Sequence, residues 1–281
     1  MRVPALSDQV VLVTGAARGI GLACARLLAG QGVRLLLNDL GCDEAGHGAD
    51  PTLVEAVARE LQRDGADVVA DATDVTEDGA ADALVSLAVT RLGRLDGLVS
   101  CAGVVERARF ARTTAAQRAK AFAVGAEAPL ALTRAAHPAM QRAGGGSVVV
   151  MAGTAGLQGQ RRDLAAAMAQ GALLGFVRTA ALELRPDKVR VNAVVPTALT
   201  RQTAELPLFQ SGRAKLTPEH VAPLVAHLLS DRAANVSGAI LGVAGSRFFA
   251  HQASETDGYF GEGDEPLDLD VIAARWDDAT R

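Results

Sequence analysis

Val10-Val11-Leu12-Val13-Thr14-Gly15-Ala16-Ala17-Arg18-Gly19-Ile20-Gly21 is the stretch on which the fold of this chain turns. Four β-branched or leucine residues in a row, with no polar alternation, read as a strand buried on both faces. The small residues that follow let the backbone turn tightly, and Ile20-Gly21-Leu22 opens a segment of helical period. A strand, a glycine turn and a helix N-terminus together present backbone N–H groups to an anion, above all a dinucleotide pyrophosphate. Gly15, Arg18, Gly19, Ile20 and Gly21 are therefore candidate cofactor residues. The next strand ends in Leu37-Asn38-Asp39-Leu40, which puts an acid where a carboxylate can bind both ribose hydroxyls of NAD and repel the 2′-phosphate of NADP. NAD(H) is expected over NADP(H), with Arg18 as the one feature that favours NADP. The alternative for Asp39 is a helix-capping or loop carboxylate.

The same rhythm continues along the chain. Strands are expected at 10–13, 33–38, 67–71, 97–100, 147–151, 190–195 and 239–243. Helices are expected at 19–28, 51–64, 80–92, 115–142, 164–184 and 218–229. Apolar strands separated by helices imply an α/β fold, a doubly wound parallel sheet of the Rossmann type in a single domain. That domain is expected over 1–249. Residues 250–281 form an acidic extension that ends in a helix (Val271, Ile272 and Trp276 on one face) and packs on the same domain. Gly41–Asp50 is a loop longer than a usual connection.

The chain has 281 residues and a formal net charge of −4, so nothing in its charge suggests a nucleic-acid surface. Three scattered cysteines (Cys24, Cys42, Cys101) give neither a disulfide framework nor a zinc site. No apolar run of membrane-spanning length and no secretory leader is seen, so a cytoplasmic protein without membrane or nucleic-acid partners is expected. Its partners would be a small-molecule substrate and other subunits. One tyrosine (Tyr259) and three lysines (Lys120, Lys188, Lys215) limit which mechanisms are open.

With Thr14-Gly15-x-x-x-Gly19-x-Gly21 in place, the chain resembles the short-chain dehydrogenase/reductase family over almost its whole length. Asp74-Val75 matches the family's adenine-contacting pair, and Ser100-Cys101-Ala102-Gly103 matches the end of its Asn-Asn-Ala-Gly motif. Within the family it is most similar to the (3R)-hydroxyacyl-CoA dehydrogenase unit of peroxisomal multifunctional enzymes and their bacterial relatives. That likeness rests on Asn38-Asp39-Leu40-Gly41 with its long loop, Arg109-Phe110-Ala111-Arg112 and Thr133-Arg134-Ala135-Ala136. Pro196-Thr197-Ala198 with Arg201 and Thr203, the 218–225 stretch and the terminal Val271-to-Trp276 helix complete it. The resemblance adds Asp74, Val75, Ala102, Gly103 and Thr203 to the cofactor residues. It also implies a homodimer or homotetramer, or a hetero-oligomer with an active relative.

The resemblance also implies a catalytic set of Asn, Ser, Tyr and Lys, and here the chain departs from the family. Gly125 stands at the Asn position, Gly153 at the Ser, Ala166 at the Tyr and Gln170 at the Lys; no Tyr or Lys occurs between Lys120 and Lys188. Positioned acid catalysis is worth about 10²–10⁴-fold and stabilisation of the carbonyl oxygen a comparable factor, so ordinary alcohol dehydrogenation is not expected. Thr154 and Asp163 are the substitutes within reach. A strand-end hydroxyl and a loop carboxylate paired with Arg161 or Arg162 are the preferred readings of those two. Cys101 reads as a buried thiol before a nucleophile. Three functions remain. An atypical NAD(H) reductase, acting on a substrate that brings its own proton or needs none at oxygen, ranks first. A catalytically silent subunit follows, and then a non-redox cyclisation or dehydration.

Overall fold

The computed structural model describes residues 6–210, 216–261 and 266–280. Lys215 lies outside them. One compact unit runs through Ala250; the second comprises residues from His251 onward.

In the first unit eight strands form one sheet: β1 (Val10–Thr14), β2 (Arg34–Asn38), β3 (Val68–Asp71), β4 (Gly97–Ser100), β5 (Gly146–Met151), β6 (Val189–Thr197), β7 (Ile240–Ala244) and β8 (Arg247–Ala250). Their order is 3-2-1-4-5-6-7-8. All neighbours run parallel except β8, which returns antiparallel to β7 through Gly245-Ser246. The main helices are α1 (Gly19–Gly30), α2 (Pro51–Arg63), α3 (Ala80–Leu92), α4 (Ala115–Phe122), α5 (Ala128–Arg142), α6 (Ala155–Gln158), α7 (Leu164–Glu183), α8 (Pro207–Gln210) and α9 (Ala222–Leu229). The doubly wound α/β fold expected from the sequence is the fold observed.

The pleat explains the two layers. Val11 and Val13 of β1, with Leu35, Leu37, Val99 and Val149 beside them, point into a core closed by α1, α2 and α9. Val10, Leu12, Leu36, Leu98, Val148 and Val150 point the other way, into a core closed by α3, α5 and α7. Successive side chains alternate faces, so a strand apolar at every position is what a sheet covered on both sides requires.

Four details differ from the sequence reading. The expected single helix 115–142 is interrupted by a π-turn at Ala123–Glu127, where the Ala128 N–H reaches the Ala123 carbonyl. Pro129 lacks an N–H, and its ring would press on the carbonyl four residues back, that of Gly125; a widened turn relieves both problems. The expected helix 218–229 begins as a 3₁₀ turn at Pro218–His220 before α9. Strand β8 was not anticipated. In the second unit the terminal helix is two short pieces, α10 (Leu269–Ala274), capped by Asp268, and α11 (Trp276–Thr280). Helix α7 is also long and apolar enough to cross a bilayer, at 20 residues and mean hydropathy 1.3. Here Leu173, Leu174 and Val177 bury one side of it against the sheet.

Candidate functional site

The strand order reverses between β1 and β4, and an open sheet leaves its crevice at such a switch point, beyond the carboxyl ends of the strands. A cavity of about 920 Å³ lies there, large enough for a dinucleotide and a small molecule.

The glycine turn forms one wall. Gly15 has φ +65°, and a Cβ on it would stand 2.7 Å from the Ala102 backbone nitrogen; a Cβ on Gly21 would stand 2.1 Å from the Gly15 carbonyl oxygen. Only glycine lets the turn lie this close to β4 and to its own helix. The N-terminus of α1 has no side-chain cap and no acid in its first turn, so its backbone N–H groups are left for an anion. Arg18, Gly19 and Ile20 all line the cavity.

Asp39 sits at the end of β2, half-buried. Its Oδ2 accepts from the Ala17 N–H at 2.9 Å and its Oδ1 from the Gly41 N–H at 2.8 Å. The carboxylate is thus a strut between the glycine turn and the following loop, and each oxygen keeps a second lone pair for a ribose hydroxyl. The long 41–50 loop folds back on the cleft rim. Its Cys42 carbonyl accepts from Arg18 Nη2 at 2.7 Å and Arg201 Nη1 at 2.9 Å, and Lys120 Nζ donates to the Ala45 carbonyl at 3.1 Å. Asp74 and Val75 line the same cavity; Asp74 Oδ1 accepts from the backbone N–H and the hydroxyl of Thr76.

At the other end, Cys101, Ala102 and Gly103 follow β4, and the Ala102 N–H donates to Thr14 Oγ1 at 3.3 Å. The neighbouring Cys24 and burial push the Cys101 thiol well above its usual value, which disfavours the thiolate. Thr203 lines the cavity, but its hydroxyl closes the turn after β6, donating to the Ala198 carbonyl and accepting from the Thr200 N–H.

The four departures from the family pattern come together in this cavity, as do Thr154 and Asp163. Gly125 lies in the π-turn, and a Cβ there would stand 3.5 Å from the Ala169 Cβ. The Gly153 N–H donates to Gln170 Oε1, and a Cβ at 153 would stand in ordinary contact with that side chain, 3.5 Å from its Cδ. Thr154 is exposed. Asp163 is 7% exposed; Oδ1 has no hydrogen-bond partner, burial raises its pKa, and Arg107 opposes that shift. The expected pairing of Asp163 with Arg161 or Arg162 is absent. Tyr259 lies in the second unit, with the Arg275 guanidinium 5.4 Å from its ring centroid.

Among the cavity residues that escaped the sequence reading are Gln202 and Arg107. Gln202 Nε2 donates to the Gly103 carbonyl at 2.7 Å, and Arg107 Nη2 donates to the Gln202 carbonyl at 2.7 Å, tying the segment after β6 across the cleft. Neither belongs to a local motif. The described residues hold no His, Cys, Asp and Glu grouping able to bind a metal.

The comparisons agree with this geometry. A family model described as enoyl-(acyl carrier protein) reductase matches residues 15–245. A Mycobacterium tuberculosis protein named for the short-chain type dehydrogenases/reductases is 33% identical over 99% of this chain and 96% of its own length. Peroxisomal multifunctional enzyme type 2 of Drosophila melanogaster is 29% identical over 97% of this chain, which spans 45% of that larger protein. A short-chain dehydrogenase structure from Mycobacterium avium superposes with a TM-score of 0.84 at 28% identity, covering 98% of this chain and 95% of the other. The chain belongs to the short-chain dehydrogenase/reductase family, oxidoreductases that work with nicotinamide cofactors.

Proposed function

We propose that this protein is an NAD(H)-dependent reductase with a non-standard active site. It would act on a small molecule that does not rely on the family's Asn, Ser, Tyr and Lys. The observation that supports this reading is an uncapped glycine turn with an acid beside it, facing a wall where the family's catalytic residues are substituted. Gly15, Gly21, Asp39 and the open N-terminus of α1 are built as a dinucleotide cradle, whereas Gly125, Gly153, Ala166 and Gln170 offer no acid.

The uncapped first turn of α1 would take the pyrophosphate, Asp39 the adenosine ribose, and Asp74-Val75 the adenine. When bound, a reduced nicotinamide supplies a hydride to an electrophilic carbon. The chain's own part is to orient that carbon and exclude water. Gln170, locked to the Gly153 N–H, keeps the floor of the site polar but uncharged. Suitable acceptors are quinone-like compounds, iminium ions and ketones beside their own phenol. NADH oxidation followed with phenanthrenequinone as acceptor tests the reading. Turnover that depends on the protein supports it; none with any of these acceptor classes sinks it.

A second reading, a silent subunit paired with another chain, draws on α7. Met168, Gly171, Ala172, Gly175, Thr179 and Leu182 form an exposed stripe of mostly small and apolar residues along it, at the spacing that lets helices pack closely. Homo-oligomerisation through the same stripe is compatible with the first reading, and a cytoplasmic location with either.

A further inference from the structure

We propose that Asp163 is the acid–base residue of this cleft, giving its proton to the oxygen of a bound carbonyl substrate, with Arg107 facing it. The proposal rests on the reductase reading and extends it to substrates whose oxygen needs a proton.

Asp163 occupies the N-cap position of α7. An aspartate there ordinarily accepts from the helix's own first amides, worth about 1 kcal/mol. Asp163 does not: its side chain makes no capping bond and instead lines the cavity, with Oδ1 buried and unpartnered. The backbone holds it that way. The Ala108 N–H donates to the Arg162 carbonyl at 2.9 Å, a β-bridge joins Ala108 to Asp163, and Arg162 sits at φ +66°, a left-handed conformation costly for a side chain with a Cβ.

Position along the helix supports the same role. Asp163, Ala166 and Gln170 are spaced i, i+3 and i+7, so they share one face of α7. Helical side chains lean toward the N-terminus, so the space over the turn before Ala166 is where a long side chain at 166 would end. Asp163 stands in that turn. A buried carboxylate lacking hydrogen bonds is costly, and protonation is the ordinary way out. Burial accordingly raises its pKa. Arg107 is the charged group that opposes this, and its own Nε is buried without an acceptor in the same cavity wall. Arg161 and Arg162, its chain neighbours, are exposed and make no ion pair with it. Asp163 thus brings a protonatable carboxyl to the wall of the cavity, with Arg107 as the cation whose charge acts on it.

In the step proposed, the Asp163 O–H bond breaks as an O–H bond forms on the substrate oxygen, while the carbonyl carbon gains the hydride described above. The C=O π electrons become the alkoxide pair that takes the proton. The carboxylate left behind regains a proton from water.

The test compares wild type, Asp163→Asn and Asp163→Glu in three measurements. The first is a ¹³C NMR titration of aspartate-labelled protein without cofactor. One carboxyl titrating above the ordinary aspartate range, and missing in Asp163→Asn, is expected; no such carboxyl overturns the proposal. The second is reduction of ethyl pyruvate against phenanthrenequinone. Asp163→Asn should lose about 10²–10⁴-fold with the ketone and little with the quinone, Asp163→Glu should recover part, and the wild-type ketone rate should fall as pH rises through the Asp163 ionisation. Equal losses on both acceptors, or a wild type that reduces only the quinone, overturns the proposal. The third, NADH titration of each variant, separates the two readings. Wild type that fails to bind NADH condemns the reductase reading, whereas retained NADH binding with an unaltered ketone rate in Asp163→Asn condemns Asp163 alone.

Discussion

Replacing Asp39 by Asn separates its two roles, because the side chain keeps its size and loses one acceptor. Both carboxylate oxygens are in use, one on the Ala17 N–H and one on the Gly41 N–H. An amide can accept only one of these; its NH₂ group must face the other N–H. A hydrogen bond to a charged group contributes about 1.5–3 kcal/mol, and the half-buried position favours the lower end because water can serve Gly41. At about 2–4 °C per kcal/mol for a chain of this size, the melting temperature should fall by about 3–6 °C. The ribose contact draws on the remaining lone pairs, and its loss at about 1.5–3 kcal/mol would weaken NADH binding about 10- to 150-fold. Melting followed by circular dichroism gives the first number and fluorescence titration the second. An unchanged melting temperature together with unchanged NADH affinity would refute both the strut and the ribose role.

Three further substitutions probe other parts of the account. Gly21→Ala puts a Cβ 2.1 Å from the Gly15 carbonyl oxygen, and since backbone must give way, a loss of about 3 kcal/mol or more is expected in denaturant melts; wild-type stability would contradict the close packing. The Arg190 guanidinium donates to the carbonyls of Leu228, Leu229, Ser230 and Ala233 at the end of α9. Arg190→Met should therefore cost about 3 kcal/mol and Arg190→Lys less, because an ammonium cannot fork across four acceptors; equal melting of the two variants would contradict this. Asp163→Asn should raise stability at neutral pH. Burial raises the folded-state pKa, so the native carboxyl binds a proton that the unfolded chain has released. Wild-type stability then falls as pH rises from the unfolded value near about 3.9 through the folded value, and the variant escapes this loss. The gain should close toward pH 4 and persist at pH 8; a gain independent of pH would show another cause.

The β1–α1 side of the cleft was legible in the sequence because its information is local. Gly15, Gly21 and Asp39 are set by one strand–turn–helix unit and the strand beside it, where spacing alone implies geometry. The opposite side is assembled from distant segments. Arg107 acts on the Asp163 charge across 56 residues of chain and Arg201 donates to the Cys42 carbonyl across 159, and no local pattern encodes either relation. Asp163 read as a loop carboxylate paired with Arg161 or Arg162, which precede it; the backbone bridge to Ala108 accompanies its inward turn. Strand β8 could have been found, since Gly245-Ser246 is a two-residue hairpin link with φ +59° at the glycine. The π-turn had a signal too, in Pro129, once its effect on the Gly125 carbonyl is considered.

The most direct measurement is fluorescence titration of the purified wild-type protein with NADH and, separately, NADPH. Saturable NADH binding, markedly tighter than NADPH, is the predicted result, since the Asp39 carboxylate at the end of β2 would repel a 2′-phosphate. No binding of either dinucleotide, or a preference for NADPH, would contradict the account.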